Sequence, residues 1–181
     1  MIKNLAVNCA PTLAGIKTAN MFSYRFASKG ILARDIHSVN MKLNPKGIFA
    51  VILCAGNNHA QILVYRLSRL AADLAQDGTQ AFLGTYGYQA ISVNGCISRL
   101  KERFLSNEFP HEIGLFLGYP LHDVIGFIKN GGKNSKCTGY WKVYHDENEA
   151  EKMFAMYQDC KKAYVHYLSQ GKPIEHLIVA A

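Results

Sequence analysis

The sequence predicts an α+β fold in which a small antiparallel sheet of about three to four strands is covered by helices. Two segments carry this prediction: a β-hairpin is expected over residues 48–66, and a C-terminal amphipathic helix over residues 147–169. Composition is the third observation, because 49% of the 181 residues are hydrophobic and only 18% are charged. Such a chain can bury a core of its own, so we expect a single globular domain over residues 1–181.

The N-terminal part is expected to contain one loop and two helices. Proline and glycine interrupt the segment from Cys9 to Lys17, which indicates a loop. A short helical stretch is predicted near residues 19–26, and a longer helix over residues 31–43. The longer helix is expected to end at Asn44-Pro45, because proline cannot continue a helix.

The middle of the chain contains the clearest β signal. Two apolar runs, residues 48–54 and 61–66, flank Gly56-Asn57-Asn58, and these turn residues accept the positive φ that a tight hairpin demands. Beyond the hairpin, a helix is predicted from Ser68 to Gly78. A further helix is predicted over residues 91–105, because its apolar residues recur at helical spacing.

The C-terminal third is expected to contain a strand, a long helix and an edge strand. Residues 138–144 alternate in the manner of a strand, and residues 174–179 could pair at a sheet edge. Between them, Asp146 and Glu149 form a capping-box-like start for the helix over 147–169. A glycine and a proline follow that helix and stop it.

The composition also excludes several classes of protein. No run approaches the roughly 18 apolar residues that a membrane span needs, and the N-terminus lacks a signal-peptide core. The number of cysteines is odd and none forms a C-x-x-C pair, which argues against a structural zinc site and favours free thiols in a reducing compartment. We therefore expect a cytoplasmic protein without a membrane partner. The cysteines are Cys9, Cys54, Cys96, Cys137 and Cys160.

The basic balance of the chain permits an anionic partner without requiring one. The formal net charge is +7 and the isoelectric point is near 9.2. Lysine and arginine are scattered, with local concentrations only at Lys161-Lys162 and over residues 129–136. Ordinary solubility charge is the simpler interpretation, so a nucleic-acid partner is not the first expectation.

The first candidate segment for chemistry runs from Cys9 to Lys17. A thiol, a hydroxyl and an ammonium lie within nine residues, at Cys9, Thr12 and Lys17. A nearby lysine would lower the pKa of Cys9 and favour the thiolate, which is the nucleophilic form. The structural alternative is a small buried cysteine beside a segment that simply enters the core.

The second candidate segment is the turn from His111 to Pro120. His111 could act as a general base with Glu112 or Asp123 orienting it, or the histidine and glutamate could only cap a helix end. The spacing of small and apolar residues over 111–129 also resembles a helix-turn-helix. Base readout needs arginine, lysine, asparagine or glutamine at the start of the second helix, and these are missing there. We therefore interpret the segment as a packing unit.

Two further features complete the candidates. Arg66 ends the second hairpin strand, where it could clamp a carboxylate or phosphate, or stay an unpaired surface arginine. Residues 139–144 place three aromatic side chains in one short segment. Core packing is the favoured explanation for them, and stacking on a flat ligand is the alternative.

Residues 9–17, Cys-Ala-Pro-Thr-Leu-Ala-Gly-x-Lys, and residues 110–124, Pro-His-Glu-Ile-Gly-Leu-Phe-Leu-Gly-Tyr-Pro-Leu-x-Asp-Val, resemble a bacterial family known as a domain of unknown function. The resemblance covers nearly the whole chain, and members of the family are of roughly this length. The family usually places histidine before the cysteine and an acidic residue before the aspartate. Asn8 and His122 stand there in this chain, which argues against an obligatory His-Cys metal pair. The resemblance implies a class and no mechanism.

The leading hypothesis is a protein that binds a small molecule or a cofactor of unknown identity. Its site would join both segments; the candidates are Cys9, Thr12, Lys17, Arg66, His111, Glu112 and Tyr119. If the protein is an enzyme, Cys9 is the candidate nucleophile and His111 the candidate base.

Two alternatives from other classes stay open. One is a metal- or haem-linked redox accessory protein that uses Cys9 and histidines such as His111 and His122. The other is a non-catalytic regulatory or nucleic-acid-binding module that uses the helix-turn-helix-like segment 111–129. Oligomeric state is not predicted by any of these patterns.

Overall fold

The computed structural model describes residues 1–89, 92–106 and 108–180, and it confirms the α+β class. Two 3₁₀ turns lie at Asn44–Lys46 and Ile174–Leu177. The strands are β1 (Ala19–Arg25), β2 (Ile48–Ala55), β3 (His59–Arg66), β4 (Cys137–Thr138) and β5 (Lys142–Val143). The helices are α1 (Ile2–Leu13), α2 (Lys29–Leu43), α3 (Leu67–Leu74), α4 (Asp77–Gly84), α5 (Val93–Phe104), α6 (Ile113–Phe116), α7 (Leu121–Lys129) and α8 (Glu147–Ser169).

The main sheet has three antiparallel strands in the order β1-β3-β2. The predicted hairpin is confirmed as β2 and β3, whose register pairs Ile48 with Arg66 and is shifted by an irregularity between Ile52 and Cys54. β1 pairs with the other edge of β3, and Ala19 lies opposite Tyr65. The sheet therefore places the end of β3 beside the start of β1, where the first candidate segment enters the fold.

Alternate residues of β3 face two different cores. Ile62 and Val64 pack in a first core with α1, α2 and α8. Leu63 and Tyr65 pack in a second core with α3, α5 and α6. This follows from the two-residue period of a strand, which sends successive side chains to opposite faces of the sheet. A third, smaller cluster joins the β4–β5 hairpin to α8 through Trp141 and its neighbours.

Two N-terminal predictions are wrong. Residues 19–25 form β1, because buried Phe22 and Tyr24 alternate with exposed Ser23 and Arg25 at the period of a strand. The predicted loop over residues 9–17 is helical in its first half, since α1 continues to Leu13 with a proline inside it. Burial outweighs the cost of that proline, because one face of α1 lies fully in the first core; its residues are Leu5, Ala6, Cys9, Ala10 and Leu13.

Further boundaries also differ from the prediction. The helix expected over residues 68–78 is two shorter helices, α3 and α4. The strand expected over residues 138–144 is a pair of two-residue strands around a tight turn, in which the Gly139 amide donates to the Trp141 carbonyl at 3.0 Å. The edge strand expected over residues 174–179 is a 3₁₀ turn followed by irregular chain.

The longer helices are confirmed. α8 covers residues 147–169 as predicted, and the Asp146 side chain accepts a hydrogen bond from the Glu149 amide at 3.0 Å. α2 and α5 correspond to the predicted helices, although Ile91 at the predicted start of α5 lies outside the described residues. Within the described chain, every helix falls short of the length and apolarity needed to cross a membrane.

Candidate functional site

Cys9 lies on the inward face of α1, completely enclosed by the first core. Burial raises the pKa of the Cys9 thiol far above its ordinary value, and the charge of Lys17 opposes this only in part. A thiol in such surroundings stays protonated at neutral pH, and protonated thiols are poor nucleophiles. The Lys17 charge does not offset the effect of burial on the Cys9 pKa, and the catalytic role of Cys9 stays a prediction.

We expect Cys9 to be inert toward a thiol reagent in the folded protein. The reason is its enclosure in the core, in contrast to Cys54, which is only half-buried. Labelling at neutral pH followed by mass spectrometry should find adduct on Cys54 and none on Cys9 until the chain is unfolded in urea. Rapid native labelling that disappears in Cys9→Ala and persists in Cys54→Ala would contradict this expectation.

Thr12 and Arg66 hold the end of α1. The Thr12 hydroxyl donates to Asn20 Oδ1 at 2.7 Å. Arg66 Nε donates to the Thr12 carbonyl at 2.6 Å, and Arg66 Nη2 donates to the carbonyls of Leu13 at 2.9 Å and Val179 at 2.7 Å. These carbonyls include orphan acceptors of the helix C-terminus, where a cation is also favoured by the helix dipole. The guanidinium of Arg66 is thus hydrogen-bonded to backbone carbonyls, and it also attaches the C-terminal chain near Val179 to the end of α1.

Lys17 connects the first candidate segment to the second. Its ammonium is buried and donates to the carbonyls of Ala19 and Leu117, and it lies 4.9 Å from the centroid of the Tyr119 ring. Burial lowers the pKa of Lys17 to about 7, while Cys9 and Asp73 act in the opposite direction. Through these two hydrogen bonds, buried Lys17 links β1 to the turn that follows α6.

Beside Lys17, a glycine allows the first and second candidate segments to approach closely. Gly118 has φ of +75°, and a Cβ built on it would lie 2.8 Å from the Thr18 hydroxyl oxygen. That hydroxyl donates to Asp73 Oδ2 at 2.6 Å. The structure thus brings Lys17 and Tyr119 together, as the sequence hypothesis requires for part of its site. Cys9 packs in the first core, where its thiol still interacts electrostatically with Lys17 but does not line a site with Tyr119.

Glu112 and His111 are neighbours in sequence but have different surroundings. The Glu112 carboxylate is buried and accepts hydrogen bonds from Arg103 Nε at 2.8 Å and the Tyr88 hydroxyl at 3.1 Å. It therefore joins the turn to α5. The exposed His111 ring instead lies between Phe109 and Phe127, with centroid distances of 5.4 Å and 5.0 Å.

His111 lines a cavity of about 310 Å³ between the α6–α7 segment and the β4–β5 hairpin. We call it the aromatic cavity, after the four rings in its wall: Phe109, Tyr119, Phe127 and Trp141. Aliphatic side chains from α6 and α7 form its base, and Thr138, Gly139 and Lys142 belong to its hairpin side. Its surface is predominantly apolar, with a few polar groups at defined places, as in small-molecule sites.

The hairpin wall of the cavity is held in place by one buried carboxylate. Asp123 Oδ2 accepts from Trp141 Nε1 at 2.8 Å, and Oδ1 accepts from the amides of Tyr144 at 2.8 Å and His145 at 3.1 Å. Tyr119 stacks on Trp141 with centroids 4.9 Å apart, and its hydroxyl donates to the Tyr140 carbonyl at 3.0 Å. These contacts fix the two stacked rings before any ligand binds.

The sequence indicates the parts of this cavity without joining them. It suggests Asp123 only as an orienting group for His111, and it favours core packing for the aromatic residues of 139–144. Trp141 serves both purposes, since it is 8% exposed, packs against α8 and still forms part of the cavity wall. The available signal is an aspartate in the first turn of one helix followed by a tryptophan, because a buried indole N–H usually needs an acceptor.

The residues predicted for the two alternative functions, a metal site and a helix-turn-helix, are arranged differently from the prediction. Among the described residues, the metal-ligating side chains that converge are Cys137, Glu147 and Glu151, which include none of the cysteine or histidines predicted for that role. The His122 ring contacts the His145 ring in a tilted arrangement, with centroids 4.4 Å apart. In the helix-turn-helix-like segment, α6 has only four residues, all buried, and a Cβ on Gly114 would meet Val124 at 2.7 Å. The packing interpretation of that segment agrees with this close contact.

The fold and cavity together define a small α+β protein with a preformed, aromatic-lined cavity of ligand size. A family described as "Protein of unknown function (DUF3793)" matches residues 5–178, and the chain belongs to that family. The family resemblance predicted from the two sequence motifs is thereby confirmed at the level of an uncharacterised domain family. Comparison with curated proteins and with solved structures returns no match.

Proposed function

We propose that this protein binds a small, flat, largely apolar molecule in the aromatic cavity. The observation that carries the proposal is the fixed Tyr119–Trp141 stack, which presents ring surface to a cavity of about 310 Å³ instead of being closed over by core residues. Stacking on pre-oriented rings adds to the free energy of burying an apolar ligand and costs little ordering on binding.

Polar groups around the cavity would orient such a ligand. His111 stands at the exposed rim between two rings, and Lys142 extends from the hairpin, where its ammonium donates to the Gly132 carbonyl at 2.6 Å. Lys17 supports the cavity from behind, through the Tyr119 ring. In this proposal His111 and Tyr119 contact the ligand, whereas Thr12, Arg66 and Glu112 stabilise the fold around it.

Binding requires no covalent chemistry, so the proposal assigns no reaction to Cys9. We also propose a cytoplasmic location, which the odd number of cysteines in the sequence supports, because domains held together by disulfides in oxidising compartments usually carry an even number. The proposed site keeps the His111–Pro120 turn from the sequence hypothesis. Its second part is the β4–β5 hairpin instead of the Cys9–Lys17 segment.

The chain's one tryptophan allows a direct test, because Trp141 lines the cavity. Titration with N-phenyl-1-naphthylamine, a neutral aromatic probe, should quench Trp141 emission while probe fluorescence rises. Phe127→Ala removes a ring from the wall and should weaken probe binding about tenfold. Phe82→Ala is the matched control, since Phe82 is another half-buried helical ring that contacts Tyr86 away from the cavity.

Equal weakening by the two variants would show that the probe does not occupy the aromatic cavity. Absence of saturable quenching in the unmodified protein would also contradict the proposal. Far-ultraviolet circular dichroism of both variants should be recorded beside the titration, so that a loss of binding is compared only between folded proteins.

A further inference from the structure

A second hollow adjoins the aromatic cavity on the other side of the β4–β5 hairpin. It is an open groove of about 1020 Å³ along α8, which also includes Thr138 and Gly139 of the hairpin in its lining. We call it the basic groove and define it by Tyr140, Phe154, Gln158, Lys161, Lys162 and His166. Thr138 and Gly139 line both hollows, so they form the saddle between them.

One of the two saddle residues is a glycine, and the Phe154 ring fills the space that its side chain would take. A Cβ on Gly139 would lie 2.2 Å from the Phe154 ring, which excludes larger residues unless that ring moves. Both Thr138 and Gly139 are exposed. A narrow chain of atoms can therefore cross from the cavity to the groove over the exposed side of this backbone, opposite the Phe154 ring.

The lining of the groove includes two lysines, whereas Glu147 and Glu151 lie outside it, beside Cys137. Among the described residues that line it, none is acidic. Lys162 pairs with Asp159 at 3.1 Å, but both side chains are largely exposed, and such pairs hold the charges only weakly. Lys161 forms no ion pair within the described part of the chain, and the protein as a whole carries a net charge of +7.

We infer that the ligand of this protein is a planar aromatic compound with a flexible anionic tail. The ring system would occupy the aromatic cavity, the tail would cross the Thr138–Gly139 saddle, and a phosphate or carboxylate would lie beside Lys161 and Lys162. Lysines bind such groups as mobile point charges, which suits an open groove. This inference rests on the proposed ligand-binding function and adds the chemical class of the ligand.

Riboflavin and flavin mononucleotide provide a matched pair of probes, because they share the ring system and differ in one phosphate on a flexible chain. Their intrinsic fluorescence should fall when the rings stack in the aromatic cavity. We expect flavin mononucleotide to bind about tenfold more tightly than riboflavin at low salt, and the preference to shrink as salt screens the lysines. The double variant Lys161→Gln/Lys162→Gln should bring the two affinities together.

The control variant is Lys29→Gln/Lys152→Gln, which removes the same charge from exposed lysines outside the groove and should keep the preference for the phosphate. If N-phenyl-1-naphthylamine binds but the two flavins bind equally, or neither binds, the inference is overturned while the proposed function stands. A preference that survives Lys161→Gln/Lys162→Gln also overturns it, since the anion then lies elsewhere. If none of the three probes binds, the proposed function itself fails.

Discussion

Replacing Asp123 with alanine is expected to lower the free energy of unfolding by about 4 kcal/mol. The carboxylate is 2% exposed and accepts three hydrogen bonds, from the Trp141 indole and from the amides of Tyr144 and His145. Alanine leaves these donors without an acceptor in a partly closed environment. Urea unfolding followed by circular dichroism measures the loss, and Trp141 emission should shift to longer wavelength as the hairpin loosens.

Asp159→Ala is the matched control, because Asp159 is an exposed aspartate whose ion pair with Lys162 contributes little. It should change the free energy of unfolding by no more than about 0.5 kcal/mol. Asp123→Asn should lie between the two, since the amide keeps one acceptor but not both. A loss below about 1 kcal/mol for Asp123→Ala would mean that this carboxylate does not fix the hairpin.

Arg66→Met is expected to destabilise the protein by about 3 kcal/mol. Methionine keeps much of the side-chain volume but removes the three donations to the carbonyls of Thr12, Leu13 and Val179. The end of α1 would then lose its cation, and the C-terminal chain would lose its attachment. Thermal or urea unfolding measures the change in stability. The backbone amides near Val179 should exchange their hydrogens with solvent faster than in the unmodified protein.

Arg69→Met tests whether the effect belongs to the position and not to the loss of charge. Arg69 lies three residues further along the chain and is exposed, so its replacement should cost no more than about 0.5 kcal/mol. Arg66→Lys should remain strongly destabilised, because a single ammonium cannot reproduce the planar fork of donors. Wild-type stability in Arg66→Lys would show that the three donations from the guanidinium do not stabilise the fold.

The parts of the fold that sequence predicted well are those with strong local signals. The hairpin has turn residues between two apolar runs, and α8 has its cap at Asp146 and its stop after Ser169 within the segment itself. The predictions for α1 and β1 are wrong because local and tertiary preferences conflict there. Pro11 is a helix breaker by propensity, yet the buried face of α1 keeps it helical.

The candidate site was only partly predictable for a related reason. His111, Tyr119 and the aromatic residues of 139–144 are each indicated by their chemical type, but no local pattern links them. The hydrogen bonds from Tyr119 and Asp123 to residues 140–144 join positions 18 or more apart. Lys17 differs in the other direction. The sequence suggests a reactive group, whereas in the structure its buried ammonium donates a hydrogen bond to the Leu117 carbonyl. Chemical type predicted which residues matter, whereas burial decided whether each one supports the fold or is positioned to meet a ligand.

The indole N–H resonance of Trp141 tests most directly whether the aromatic cavity is a binding site. Because the chain has one tryptophan, this signal is unambiguous in a nitrogen–proton correlation spectrum. We expect N-phenyl-1-naphthylamine to shift it in a saturable manner and to give nuclear Overhauser effects with the rings of Phe127 and Trp141. An unshifted indole signal, with probe contacts confined to exposed apolar side chains such as Met156 on α8, would contradict a ligand site in this cavity.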